Sequence, residues 1–298
     1  MAGSKIIKKR IASVKNTRKI TRTMEMVATA KSKKLIDRVN EAKPYGDKLR
    51  AIMESLATQG GSIDSPYLRA VEGEQPRKVA LVVVSANRGL CGGYNSNVLR
   101  MARQHVQGLK KNTGAEVDVY MIGKKGAGYF KFLQIPVTES ILDIDDTFQY
   151  DQADRLVTKL MDAFEDQKYD RVDVVTTVYL SAGSQKPDVL QLLPVGLGGD
   201  DSTDAKSAPT ANSAGPVIYE PDPATIAAEM IPLAIKTQFY RMLLEAVASE
   251  QIARRIAMKN ATDAAGEMVK LLTRTYNRAR QAGITQEILE IVAGAEAV

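Results

Sequence analysis

The 298-residue chain has one cysteine, one histidine, no tryptophan and five phenylalanines. The lone thiol, Cys91, excludes an intramolecular disulfide and any multi-cysteine zinc site, and His105 alone excludes a histidine-rich metal cluster. Such sparse cysteine fits a reducing compartment. No apolar run approaches the roughly 18 residues of a membrane span, and no apolar signal core precedes the first helical pattern. The chain is therefore expected to be soluble and to reach a membrane only through partners. No acid, base and nucleophile converge in any motif, so no catalytic residue, no metal and no cofactor is expected.

Ala, Lys, Arg, Glu, Leu, Ile and Met crowd the two terminal thirds, as in long helices. From Ser4, a plausible N-cap, Ile7, Ile11, Val14, Ile20, Met24, Val27, Leu35 and Val39 recur at three- and four-residue steps. Pro44 predicts a kink or change of direction before Leu49, Ile52, Met53 and Leu56 resume the pattern, and Gly60 and Gly61 end it. Near the other end, Asp222 and Pro223 read as a cap followed by proline at the first helical position. Ile226, Met230, Leu233, Tyr240, Leu244, Val247, Ile252 and Ile256 are expected to line one side, continued by Val269, Leu272, Tyr276, Ile284, Ile288 and Val292. At about 1.5 Å per residue these segments extend roughly 80 and 105 Å, too long to sit inside a globule. Neither makes a core alone, so residues 1–60 and 216–298 are expected to pair as a coiled coil.

Residues 77–195 read as a separate α/β domain. Lys78 to Ser85 is a continuous valine-rich run, the mark of a strand buried on both faces. A Gly-rich turn and a helix from Tyr94 to Lys111 follow, then a strand from Glu116 to Ile122 and a short helix from Lys124 to Leu133. A brief strand at Ile135 to Thr138, a helix from Gln152 to Gln167, and strands at Arg171 to Tyr179 and Val189 to Leu193 complete the alternation. This predicts a mostly parallel, Rossmann-like sheet. Residues 196–215 have no apolar periodicity and read as an exposed loop.

Charge is uneven. Residues 1–50 hold fifteen Lys or Arg against four Asp or Glu, so the remainder is net negative by five given the overall +6. A basic helix suits nucleic acid, anionic lipid or an acidic protein, and charge alone does not choose. A basic coiled coil that binds nucleic acid is accordingly one reading, and a small-ligand enzyme built on the middle domain another.

The segment RGLCGGYN, Arg88 to Asn95, follows a strand and precedes a helix, as a phosphate cradle does. It lacks both the GxxxxGK[ST] and GxGxxG spacings, and the lysine of the first, so it reads as a tight turn packed against the long helices. Cys91 beside two glycines reads as a small buried residue, and His105 as a surface or half-buried side chain.

Several strings together resemble the gamma subunits of F-type ATP synthases of bacterial type. They are IIKKRIASVKNTRKITRTMEMVATAKSKK (Ile6 to Lys34), VSANRGLCGGYN (Val84 to Asn95), YEPDP (Tyr219 to Pro223), SEQIARRIAMKNATDAA and YNRARQAGITQEILEIVAGAEAV. The resemblance implies α/β architecture plus a long antiparallel coiled coil of the two termini, joined to a Rossmann-like central domain. It implies a non-catalytic rotor shaft, coupling ion flow to the cycling of catalytic beta subunits, with three alpha and three beta subunits, epsilon and a c-ring as partners, and no nucleic acid. The implied beta contacts are Met24, Arg254, Arg280, Gln281, Thr285 and Glu287, and the charges of Arg10 and Arg22 on the first helix make them further candidates to push on beta. Tyr219 and Glu220 match the foot beside the c-ring, while the slim, nearly uncharged end with Ile288, Ile291 and Val292 suits a tip that turns in an apolar bearing. The resemblance implies a peripheral place on the cytoplasmic face of a bacterial inner membrane. It also departs from the family at Asn87, where Asp is common, and one cysteine excludes the dithiol switch of chloroplast relatives.

Overall fold

The computed structural model describes residues 2–59, 65–69, 75–196, 220 and 222–296. They fall into two units, residues 31–252 and residues 1–30 with 253–298. Two long helices, α1 (Ala2–Gln59) and α5 (Pro223–Glu296), contribute to both. Because α1 is already helical at Ala2, Ser4 lies inside the helix and does not cap it. The expected break at Pro44 is likewise absent, and α1 runs through it. Pro44 is exposed, while Leu35, Val39, Leu49 and Met53 on either side are buried. Their packing outweighs the about 3 kcal/mol that an interior proline costs. At the start of α5, Asp222 behaves as predicted: its carboxylate accepts from the Thr225 amide at 2.9 Å and hydroxyl at 2.7 Å.

In residues 31–252 a five-stranded sheet has the order β3-β2-β1-β4-β5. Its strands are β1 (Lys78–Val84), β2 (Glu116–Ile122), β3 (Glu139–Ile141), β4 (Arg171–Ser181) and β5 (Ser184–Leu193). The first four run parallel, whereas β5 returns antiparallel along β4. The helices between them are α2 (Tyr94–Asn112), α3 (Lys124–Phe132) and α4 (Tyr150–Glu165). Alternate residues of β1 enter opposite cores, which explains its unbroken apolar run. Ala80, Val82 and Val84 join α4 and the long-helix residues Leu35, Val39, Ile235 and Phe239, while Val79, Leu81 and Val83 join α2 and Phe130 of α3.

Two strands depart from expectation. The apolar stretch Ile135 to Thr138 is not β3; the Ile135 amide closes on Phe130 O at 3.0 Å, finishing α3, the Thr138 amide bonds Val119 O at 2.8 Å, and the register of β3 starts at Glu139. β5 starts five residues before the predicted Val189 and opposes its neighbour, so the sheet is mixed at this edge.

In the second unit the helices pair antiparallel: Thr21 meets Thr262 at 2.9 Å, and Arg18 packs on Gly266. On α1, Ile7, Ile11, Val14, Thr21, Glu25 and Ala28 are half-buried or buried at alternating four- and three-residue steps, with Arg18 filling the remaining step. Met258, Thr262, Ala265, Val269, Leu272, Tyr276 and Ala279 do the same on α5. This is a heptad seam, apolar toward the start of α1 but polar and small in its middle. Ile20 and Val27, predicted inside, are 61% and 50% exposed because they fall off these steps, and Ile256 of α5 faces out likewise. In the first unit Leu233 of α5 also faces solvent.

Candidate functional site

The outward side of α1 in residues 1–30 carries what the seam leaves out. Ile20, Thr23, Met24 and Val27, spaced i, i+3, i+4 and i+7, share one stripe. Met24 is half-buried and Met26 is exposed. Beside the stripe, Arg22 Nη1 donates to both carboxylate oxygens of Glu25 at 3.1 Å. Glu25 is mostly covered, so the pair holds one end of the guanidinium while its remaining donors face outward. Arg10 is exposed about three turns further toward the N-terminus of α1. The arrangement offers apolar area with fixed positive charge at its edge, which suits an acidic, apolar protein segment.

On α5 the candidate residues divide. Arg254 is buried, at 9% exposure, so it meets the seam before it meets any partner. Arg280, Gln281, Thr285 and Glu287 are exposed, and the Thr285 hydroxyl bonds Gln281 O at 3.0 Å, keeping it against its own helix. Ile288, Ile291 and Val292 are exposed too, Ile291 at 71%. The pairing explains this. From the Thr21–Thr262 level, the about 19 residues back to the start of α1 carry the register to about Gln281, and α5 continues alone for roughly fifteen residues more. Met268 and Leu271 form a further outward apolar pair that spacing would have revealed, since both fall between the seam positions Ala265, Val269 and Leu272. Glu220 is exposed and Tyr219 lies outside the described residues, as do residues 197–215 of the predicted loop.

The RGLCGGYN turn is filled by its own side chains. Asn95 Oδ1 accepts from the Ala86 amide at 2.9 Å, Cys91 is buried, and Gly92 takes a positive φ of 58°. Tyr94 is buried beneath it, its phenol pKa raised well above the ordinary value by burial and then by Glu250 of α5. Asn87 uses both ends of its amide, donating to Ile144 O at 3.1 Å and accepting from the Lys124 amide at 3.1 Å. His105 is half-buried and bonds the fully buried Asp173 at 2.8 Å, which also accepts from Arg171 at 2.7 Å. A cavity of about 360 Å³ beside His105 is lined mainly by apolar atoms of α2 and Val189. Among the described residues no group of three or more His, Cys, Asp or Glu is placed to hold a metal.

A family model described as ATP synthase matches residues 3–298. The ATP synthase gamma chain of Leptospira biflexa is 52% identical over the whole of both chains. The chain belongs to the ATP synthase gamma-chain family. Another gamma chain, from Gemmatimonas aurantiaca, is 41% identical across all of this chain and 99% of its own. Among solved structures, the rotor of Euglena gracilis mitochondrial ATP synthase has a TM-score of 0.64 at 17% identity, covering 95% of this gamma chain and 99% of that chain. A chain from the OSCP/F1/c-ring assembly of the same enzyme has a TM-score of 0.68 at 18% identity, covering 99% and 94%. At these identities the structures speak to the fold alone.

Proposed function

We propose that this chain is the central rotor shaft of an F-type ATP synthase, a non-catalytic subunit that couples transmembrane ion flow to conformational cycling of the catalytic beta subunits. The observation that carries the reading is the full-length 52% identity to a gamma chain, in a protein whose long helices pair through a heptad seam. Its partners are three alpha and three beta subunits, the epsilon subunit and the c-ring. The chain joins the membrane through that complex, and we place it on the cytoplasmic face of a bacterial inner membrane. Among the described residues no helix is long and apolar enough to cross a membrane.

Torque passes where contact energy changes with angle. Driving a beta subunit from 1:99 to 99:1 takes about 5.5 kcal/mol of differential interaction. Arg10, Arg22 and Met24 on α1, with Arg280, Gln281, Thr285 and Glu287 on α5, are the pushing residues, and Ile288, Ile291 and Val292 turn in an apolar bearing. Arg254 acts from within the seam, setting the helices that carry the others. Glu220 and Tyr219 belong to the foot. No observation favours nucleic acid, and two basic residues of the first helix are committed to partners within the chain: Lys31 to Asp146, and Arg38 to Phe148 O and Tyr240.

The test is reconstitution. Mixed with alpha and beta chains, the protein should form a stable ATP-hydrolysing complex in which a probe attached to the chain rotates, while the pure chain hydrolyses nothing. A cysteine at Met24 should cross-link to beta. Failure to assemble with alpha and beta, together with tight DNA binding at physiological salt, would overturn the proposal.

A further inference from the structure

Within residues 31–252, one side chain ties three elements together. Arg38 of α1 donates from Nη2 to Phe148 O at 3.0 Å and to the Tyr240 hydroxyl of α5 at 2.8 Å. Its guanidinium also lies 5.6 Å from the centre of the Phe148 ring. Phe148 sits in the connection between β3 and α4 and is 1% exposed. Its ring meets Tyr240 edge-on at 5.6 Å, and Tyr150 meets Tyr240 from the other side at 5.4 Å.

Ion pairs flank this cluster on both helices. Lys31 of α1 bonds Asp146 at 2.5 Å, and Lys236 of α5 bonds Asp154 of α4 at 2.8 Å. The connection itself is stiff. Asp145 accepts from both the amide and the hydroxyl of Thr147 at 2.7 Å, and Gln149 and Gln152 close a reciprocal cap at the start of α4. Behind it, Asn87 grips Ile144 O and so joins the connection to the turn after β1. An unbroken series of bonds thus runs from the sheet through residues 144–148 into Arg38 and across to Tyr240.

We propose that Arg38 is a positioning residue of energy coupling, a pin that makes the sheet layer and this part of the two long helices turn as one body. The assignment rests on the rotor reading above. Rotation imposed on the sheet side has to enter α1 and α5, and a planar guanidinium that binds a backbone carbonyl and a phenol at once resists shear better than apolar packing, which slides at little cost. The long, flexible amine of a lysine cannot make the same planar link.

The experiment uses the complete membrane-embedded complex carrying Arg38→Gln. Amide exchange across residues 142–150 should rise about ten- to a hundredfold, the effect of losing a charge-assisted bond pair. Ion-driven ATP synthesis should fall at least about threefold, while ATP hydrolysis by the detached alpha, beta and gamma assembly stays within about a third of normal, because no rotation then crosses the pin. Arg38→Lys should recover synthesis only in part. Tyr240→Phe, which keeps the ring stacking, should give a smaller loss in the same direction and serves if Arg38→Gln fails to assemble. The inference is overturned if synthesis is unchanged in Arg38→Gln, or in Tyr240→Phe where that variant alone assembles, or if synthesis and detached hydrolysis fall in parallel. An unmodified chain that assembles with no partner would sink the rotor reading instead.

Discussion

The polar middle of the heptad seam predicts that the coiled coil is less stable than its geometry allows. Thr262 is buried and its hydroxyl lies 2.8 Å from Met258 O and 2.9 Å from the Thr21 hydroxyl, which itself lies 3.1 Å from Arg18 O. Two hydroxyls carry two hydrogens for these three contacts, so one is always unmade or shared. Replacing Thr262 alone with Val exchanges one modest hydrogen bond, worth about 1 kcal/mol net, for about 0.8 kcal/mol of apolar burial, and stability should move by less than about 0.5 kcal/mol. In Thr21→Val/Thr262→Val both hydroxyls are gone, the carbonyls keep their helical partners, only the one bond between the helices is lost, and the chain should be stabilised by about 0.6 kcal/mol. The gain has a cost in specificity, because a polar seam position fixes register. Urea unfolding of the full chain, followed by helical ellipticity, gives the first quantity. Distances between spin labels at the exposed positions of Thr23→Cys and Asn260→Cys give the second and should broaden in the double variant. A double variant destabilised by more than about 1 kcal/mol would refute the reasoning, since the hydroxyls would then be net contributors.

Three further outcomes are expected. Gly123 has φ 93°, and a β-carbon there would stand 2.1 Å from Ser85 O, so Gly123→Ala should cost about 3 kcal/mol or more, seen as a lower melting temperature. Tyr67 donates to Glu165, and burial, then that bond, pushes its pKa from 10.0 up to about 12. A raised tyrosine favours the protonated folded form, so its stabilisation is whole below pH 10 and lost as pH climbs from 10 to about 12; absorbance titration should show this late tyrosinate, and Tyr67→Phe should remove it. Deleting residues 284–298 should leave the melting temperature of the isolated chain within about 2 °C, because those described side chains pack on nothing, yet should weaken rotation against load in the assembled complex.

Much of this was readable in advance, for reasons that differ by element. β1 was legible because burial on both faces leaves no polar residue in Val79 to Val84, and the start of α5 because Asp222 and Pro223 satisfy a helix end by themselves. β3 was not, since an edge strand of Glu139, Ser140 and Ile141 has little apolar content, while the more apolar Ile135 to Thr138 beside it serves to end a helix. The first half of β5 was hidden by Lys186, Pro187 and Asp188, residues an edge tolerates because its outer side pairs with nothing in the sheet. Along α1 the eye follows Ile20 and Val27, whereas the pairing follows Thr21 and Ala28, and only the partner helix decides between two stripes one residue apart. On α1 the resemblance named Met24 and charge named Arg10 and Arg22; the outward stripe that surrounds Met24 came from that offset. The His105–Asp173 pair, 68 positions apart, left no mark in the sequence.

The solitary end of α5 also constrains how such a molecule is made in the cell. Ile284, Ile288, Leu289, Ile291 and Val292 lie exposed along one broad side of a single helix, which is an invitation to aggregate until another polypeptide covers them. Biogenesis should therefore favour capture of the newly made chain by its neighbours over prolonged free existence, and overproduction without them should yield sticky, short-lived material.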